Sequence, residues 1–357
     1  MSYVEVKHIN KHFGSFKALE DISFSVEKGE LLALLGPSGS GKTTILRTIA
    51  GLERADSGDV IINGQVVNDL PGSKRGIGFV FQNYALFRYM TVYDNIAFGL
   101  KVLKLPKTEI SQRVHELIEL VGLAGLEKRY PNELSGGQRQ RVAFARAFAP
   151  KPNVLLLDEP FAAIDAKVRQ ELRQWLRQIV GQLNITSIFV THDQDEALEV
   201  SDRIIVMDQG RIEQIGKPVE IYSDPASSFV ARFASTSPAV QNYGALAGFE
   251  EVPGYPDAII RPEFVEAFKP DNEKFTPLMP ASCEGTVTGI FFRGTHLEVS
   301  LDVCGMSLSL RRSLERRPIE IGERMRVVVY RLFALGKDGS IKQLTNAKLP
   351  EGANLMD

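Results

Sequence analysis

Cysteine and tryptophan are almost missing from this chain. Cys283 and Cys304 are its only thiols, and there is a single tryptophan among 357 residues. Two cysteines, both in the C-terminal third, exclude a disulfide framework and read as buried thiols kept in a reducing cytosol. The five histidines (His8, His12, His115, His192 and His296) have no metal-ligand spacing with them. Long apolar runs are missing too. Leu31–Leu35 and Val154–Leu157 are of strand length, far short of the roughly 18 residues a spanning helix needs. The N-terminus, MSYVEVKHINKHFG, lacks the apolar stretch of a signal peptide. The chain is therefore expected not to cross a membrane itself. Neither sign of charge is in excess: 42 basic against 44 acidic residues leave a net charge of -2. Nothing in that balance points to nucleic acid, so any anion site has to come from local geometry.

With 44% hydrophobic and 24% charged residues, the composition is that of a soluble globular protein, and the length suits two or three domains. Residues 1–235 alternate short apolar runs with helical patterns. Leu31–Leu35, Val154–Leu157, Ser187–Val190 and Ile204–Met207 read as buried strands of an α/β sheet. Asp165–Leu183 carries Val168, Leu172, Trp175, Leu176, Ile179, Val180 and Leu183 on one helical face, with Asp165 as N-cap. The first 30 residues, and Asp59–Val67 with its Asn63-Gly64 turn, read instead as antiparallel hairpins. From about 83 to 152, helices at Glu109–Val121 and Gly136–Ala149 interrupt the sheet pattern as a helical subdomain. After Ser235–Pro238 the periodicity changes to short β segments (Cys283–Ile290, Leu297–Val303, Met306–Leu310, Met325–Tyr330), and residues 238–357 are expected to form a small β-barrel.

The strongest local signal is Gly36-Pro37-Ser38-Gly39-Ser40-Gly41-Lys42-Thr43, followed by Thr44. It fits the P-loop pattern and lies between the strand Glu30–Leu35 and a helix starting near Lys42. The glycines let successive backbone N–H groups turn inward around phosphate oxygens, and the helix N-terminus adds partial positive charge. Lys42 would reach the β/γ-phosphates and Thr43 would ligate Mg²⁺. Val154–Glu159 is a buried strand ending in two carboxylates, the form of a Walker B motif. Asp158 would hold Mg²⁺, and Glu159 would point elsewhere and polarise the attacking water.

Leu134-Ser135-Gly136-Gly137-Gln138 supplies a second phosphate nest at a helix N-terminus. One nucleotide does not need two nests in one chain. A dimer in which each chain supplies the nest for the other's ATP explains both. At LSGGQ the sequence resembles the ABC ATPase family, and the resemblance covers residues 1–235 with the motifs in order. It implies a P-loop (RecA-like) α/β core with an antiparallel β subdomain and a helical subdomain, followed by an accessory or regulatory β-barrel domain. By position, Gln82 matches the Q-loop glutamine that contacts Mg²⁺ or water and senses the membrane partner. His192 matches the switch histidine that holds the γ-phosphate, and Asp165 the D-loop aspartate. Phe13, or alternatively Phe16, sits where the family stacks an aromatic on adenine. The apolar group Tyr84, Leu86, Phe87, Tyr89 and Met90 beside Gln82 is the expected contact with permease subunits.

A single cassette followed by a β domain resembles the bacterial importers of the maltose, spermidine, iron and oxyanion group. The segments Phe79–Phe87, Met90–Leu100, Asp165–Leu176 and Thr186–Gln194 look like those of sulfate/thiosulfate importer ATPases, although none of them touches the transported ion. The resemblance implies MgATP hydrolysis in a head-to-tail homodimer on the cytoplasmic face of the inner membrane. The partners would be transmembrane permease subunits and, indirectly, a periplasmic or surface substrate-binding protein. Molybdate, iron, spermidine or a sugar is the alternative cargo. A soluble ABC ATPase acting on DNA or ribosomes is the alternative role, and those generally carry a second cassette or a long coiled-coil insertion that this chain lacks.

Overall fold

A computed structural model describes residues 2–162, 166–235 and 237–351, and the chain divides into two compact units, Met1–Ile221 and Tyr222–Asp357. The first opens with β1 (Ser2–Phe13) and β2 (Phe16–Glu27), paired antiparallel from Ser2↔Glu27 to Phe13↔Phe16. Val4, Val6 and Ile9 on β1 and Leu19, Ile22, Phe24 and Val26 on β2 turn into the core. β3 (Leu31–Leu35) is buried at every position, as a strand covered on both faces must be. α1 (Lys42–Ala50) follows it and buries Ile45, Leu46 and Ile49. β4 (Ser57–Ile62) and β5 (Gln65–Val66) meet at Asn63-Gly64, both left-handed at φ 50° and 77°, as a tight hairpin turn requires.

β6 (Ile77–Val80) then leads into three helices, α2 (Val92–Val102), α3 (Lys107–Leu120) and α4 (Gly136–Phe148). α2 was not foreseen from the sequence. Its apolar face (Val92, Ile96, Ala97, Leu100) is short, but Thr91 accepts from the Asp94 N–H as N-cap. The chain returns through β7 (Val154–Asp158), α5 (Ala166–Leu183), β8 (Thr186–Thr191), α6 (Gln194–Val200), β9 (Arg203–Asp208) and β10 (Arg211–Gly216). The main sheet has the order β10-β9-β3-β8-β7-β6, with every pairing parallel except β9–β10. This order puts the ends of β3, β8, β7 and β6 side by side. Crossovers between parallel strands leave the carboxyl ends as the open edge where ligands sit.

The second unit is antiparallel throughout. After two short helices, α7 (Pro218–Ser223, which straddles the division) and α8 (Ser228–Phe233), come β11 (Ala239–Gln241), β12 (Asp257–Ile259) and β13 (Val265–Phe268). β14 (Ser282–Phe292), β15 (His296–Val303), β16 (Met306–Ser313), β17 (Arg324–Val329), β18 (Arg331–Leu335) and β19 (Ile341–Thr345) follow. They form two sheets, β11-β12-β18-β19 and β13-β17-β14-β15-β16, curled about a shared core that includes Tyr243, Val299, Leu301, Val327 and Leu332. The two thiols differ from expectation. Cys283 is only half-buried and Cys304 is exposed, and both are free. Cys304 stands in the β15–β16 turn at a left-handed φ of 54°, where there is no core to bury it, while Cys283 lies on β14 opposite Val327, partly packed against the core.

Candidate nucleotide site

The open edge of the main sheet gathers the first group of site residues. Gly36–Gly41 leave the end of β3, and Gly41 stands at φ 96°, where a Cβ would lie 2.6 Å from the Ala18 carbonyl. Only glycine fits there, and the turn it permits starts α1 at Lys42. At Gly36 a Cβ would meet the Met207 carbonyl at 2.2 Å, so β9 holds the loop from the other side. Pro37 is half-buried and Ser38 and Gly39 are exposed at the tip. Lys42 is buried, and its ammonium donates to the Pro37 carbonyl (2.7 Å) and the Ser40 hydroxyl (3.2 Å). Thr43 donates to Asp158 Oδ1 at 3.0 Å, and Thr44 lies half-buried beside it in the first turn.

Electrostatically the site is a desolvated pair of opposite charges. Burial pushes the Lys42 ammonium below its ordinary range, against the pull of Glu159 and Asp158. Burial likewise pushes the Asp158 carboxyl up, opposed by the Thr43 hydrogen bond and by Arg47, whose Nη2 is 3.8 Å away. Each group loses hydration that an incoming partner of opposite charge would replace. Arg47 is a member of the site that the sequence reading missed. It lies one helical turn beyond Thr43, a spacing that puts it on the same face of α1.

Glu159 turns away from Asp158 for a backbone reason: its φ is 45°, and its N–H bonds across to the Val190 carbonyl of β8 at 3.1 Å. Its carboxylate accepts from Gln82 Nε2 at 2.8 Å, and His192 Nδ1 is 3.5 Å from its other oxygen. Residues 77 positions apart on one side and 33 on the other meet because β6, β7 and β8 are neighbours.

Ser135, Gly136, Gly137 and Gln138 stand apart from this group. Ser135 caps α4: its hydroxyl accepts from the Gln138 N–H at 3.2 Å, while Gln138 Oε1 accepts from the Ser135 N–H at 2.9 Å. Among the described residues, none of their hydrogen bonds reaches Lys42, Asp158 or Glu159. A Cβ on Gly137 would meet Val168 of α5 at 2.9 Å, whereas Gly136 faces open space. Phe13 and Phe16 face each other at the exposed end of the β1–β2 hairpin, Phe13 with the Lys11 ammonium 5.0 Å over its ring. Asp165 lies outside the described residues.

The segment after Gln82 makes two consecutive left-handed turns, at Tyr84 (φ 63°) and Ala85 (φ 46°). Arg146 of α4 donates to both carbonyls, at 2.8 and 2.7 Å. The apolar group there divides. Tyr84 is buried, and Phe87 packs on Phe98 with ring centroids 4.5 Å apart, while Tyr89 is 97% exposed. Tyr84, Leu86 and Tyr89 edge a groove of about 1250 Å³ whose basic lining includes Arg88, Lys128, Arg129 and Arg139.

A phosphate loop, a carboxylate pair and a polar trio on the carboxyl edge of a parallel sheet define a P-loop nucleotide-binding ATPase. A family model described as ABC transporter matches residues 19–162. The sulfate/thiosulfate import ATP-binding protein CysA of Synechocystis is 49% identical over 303 residues, covering 83% of each chain. Its namesake from Pectobacterium atrosepticum is 58% identical over 238 residues, covering 66% of this chain and 72% of its own. Among solved structures, a dimeric post-hydrolysis state of the ATP-binding cassette MJ0796, bound to ADP and Pi, superposes with a TM-score of 0.54. It is 33% identical and covers 60% of this chain and 98% of that one. The chain belongs to the ABC transporter family, as one of its ATP-hydrolysing subunits. Among the described residues, no helix is long and apolar enough to cross a membrane.

Proposed function

We propose that this chain drives uptake of sulfate or thiosulfate by hydrolysing ATP beneath a pair of permease subunits on the cytoplasmic face of the membrane. The observation that carries the reading is the meeting of Gln82, Glu159 and His192 beside Lys42 and the Thr43–Asp158 pair. The cargo is taken from the two relatives named for sulfate/thiosulfate import. A substrate-binding protein outside the membrane would deliver the oxyanion to the permeases.

In this reading the N–H groups of residues 38–44 cradle the phosphates, and Lys42 offsets the charge that develops on them. Thr43 and Asp158 present hard oxygen donors 3.0 Å apart, which fits Mg²⁺, with the Gln82 amide as a further ligand. The metal would neutralise phosphate charge. Glu159 orients and polarises the attacking water, and His192 holds the γ-phosphate. The nest at Ser135–Gln138 completes the site of a second copy arranged head to tail, together with Asp165. Phe13, or Phe16 beside it, stacks on adenine. The chemistry belongs to residues 1–235, while residues 238–357 form an accessory domain. The basic groove under Tyr89 receives the permease.

The test is radiolabelled sulfate uptake by membranes carrying this subunit with its permeases and binding protein, with molybdate, iron, spermidine and maltose as competitors. ATP-dependent uptake of sulfate, blocked by thiosulfate and by none of the others, is the expected result. Transport of another cargo would overturn the substrate assignment. ATP turnover by a chain that never assembles with a permease would overturn the transport role.

A further inference from the structure

The turn that carries His192 is held by a buried carboxylate whose position a helix cap does not require. Asp193 is the N-cap of α6 and accepts from the Glu196 N–H at 3.2 Å. With glutamate three residues on, Asp193-x-x-Glu196 reads as a capping box. In such a box the glutamate reaches back to the N-cap N–H from the helix surface. Here Glu196 does something else. The Asp193 N–H is taken by the Thr191 hydroxyl at 3.0 Å, and that hydroxyl in turn donates to Glu196 Oε2 in a short hydrogen bond. The carboxylate is drawn inside, to 5% exposure, next to Arg173 of α5, whose Nη2 lies 3.5 Å from Glu196 Oε1 and 3.3 Å from Asp193 Oδ2.

Burying a carboxylate, even against a hydroxyl and a guanidinium 3.5 Å away, is unfavourable compared with leaving it in water. What the arrangement achieves is geometric. It pins the residues on both sides of His192, while the imidazole itself remains 60% exposed and 3.5 Å from Glu159.

We propose that Glu196, acting through the Thr191 hydroxyl, is a positioning residue for His192. It contributes to the chemical step and not to ATP affinity. The proposal rests on the γ-phosphate role given to His192 above. Among the described residues, no side-chain hydrogen bond of Thr191 or Glu196 reaches the phosphate loop, so their loss leaves Lys42 and its cradle in place. A displaced imidazole, by contrast, lowers the rate at which bound ATP reacts.

The experiment measures kcat and KM for ATP with the full-length chain, alongside Tm for each variant. Glu196→Leu and Thr191→Val keep side-chain volume and remove the link. Each is expected to lower kcat by about tenfold to a hundredfold with KM unchanged within about twofold. Glu196→Gln keeps an acceptor oxygen and Thr191→Ser keeps the hydroxyl, so both should return kcat to within about threefold of the native value. The decisive comparison is Glu196→Leu in a His192→Ala background, where it should cost less than about another twofold, because residues acting as a unit are not additive.

A full multiplicative loss in that background would show that Glu196 supports the fold and not His192, and would overturn the proposal. So would a native kcat in Glu196→Leu. If Glu196→Gln and Thr191→Ser stay as slow as Glu196→Leu at native Tm, the hydroxyl link is wrong. If His192→Ala alone retains the native rate, it is the role of His192 that fails, and the positioning role falls with it.

Discussion

Replacing Glu159 by glutamine isolates the chemical step from every other property of the site. Glu159→Gln keeps the side-chain shape and still offers an oxygen to Gln82 Nε2, which now donates to it at 2.8 Å. The backbone bond from the residue 159 N–H to Val190 is untouched by the change. Fold stability should therefore move by no more than about 0.5 kcal/mol, and ATP should bind with near-native affinity through the loop at Gly36–Thr43. What disappears is the negative charge that polarises water. A positioned general base contributes about 10²–10⁴-fold, or about 2.7–5.5 kcal/mol of barrier. Single-turnover phosphate release should slow by that factor. With hydrolysis blocked, nucleotide should bridge two chains through the nests at Ser135–Gln138. Size-exclusion chromatography with ATP and Mg²⁺ should then show a dimer that the native chain forms only transiently. Hydrolysis within about tenfold of native by a variant that binds ATP normally would refute the role of Glu159. A variant that stays monomeric with ATP bound would refute the shared-site dimer.

Lys42→Ala should weaken MgATP binding by at least about tenfold, since a charge-assisted contact to phosphate is lost. Titration with a fluorescent ATP analogue checks it, and near-native affinity and turnover would remove Lys42 from the site. Gly41→Ala forces a side chain to φ 96° and into the Ala18 carbonyl, so it should destabilise the first unit by about 1–3 kcal/mol from the backbone alone. Urea unfolding reads this directly, and an unchanged midpoint would mean the loop adopts another path. Tyr89→Glu, at a 97% exposed position, should leave ATP binding by the isolated chain intact but weaken co-purification with the permease. Intact assembly and transport would place the permease contact elsewhere.

Four arginines of the second unit (Arg261, Arg293, Arg311 and Arg312) show that basic residues do not by themselves make an anion pocket. Arg261 is fully buried, its guanidinium 3.8 Å from the Tyr222 ring and 4.9 Å from that of Phe333. Arg312 spends its donors on the Ala267 and Arg317 carbonyls, and Arg293 pairs with Glu298. Cation–π, backbone and ion-pair contacts engage Arg261, Arg312 and Arg293 in the fold itself.

The sequence by itself determined the elements whose signal is local. The phosphate loop needs glycines at fixed offsets between a strand and a helix. Val154–Leu157 is apolar throughout because both its faces are covered, and Ser135 with Gln138 forms a helix cap within four residues. These are set by neighbours in the chain, so spacing alone reveals them. The tertiary structure decided everything that depends on which strands lie side by side. The order β3-β8-β7-β6 brings Gln82 and His192 to Glu159 across 77 and 33 residues. It also decided that Tyr84 is buried while Phe87 and Tyr89 stay exposed, and that the glutamate of a surface-type capping pattern is buried against Thr191. Periodicity records which face of an element is covered, and strand order and side-chain burial follow from how separate elements pack against one another.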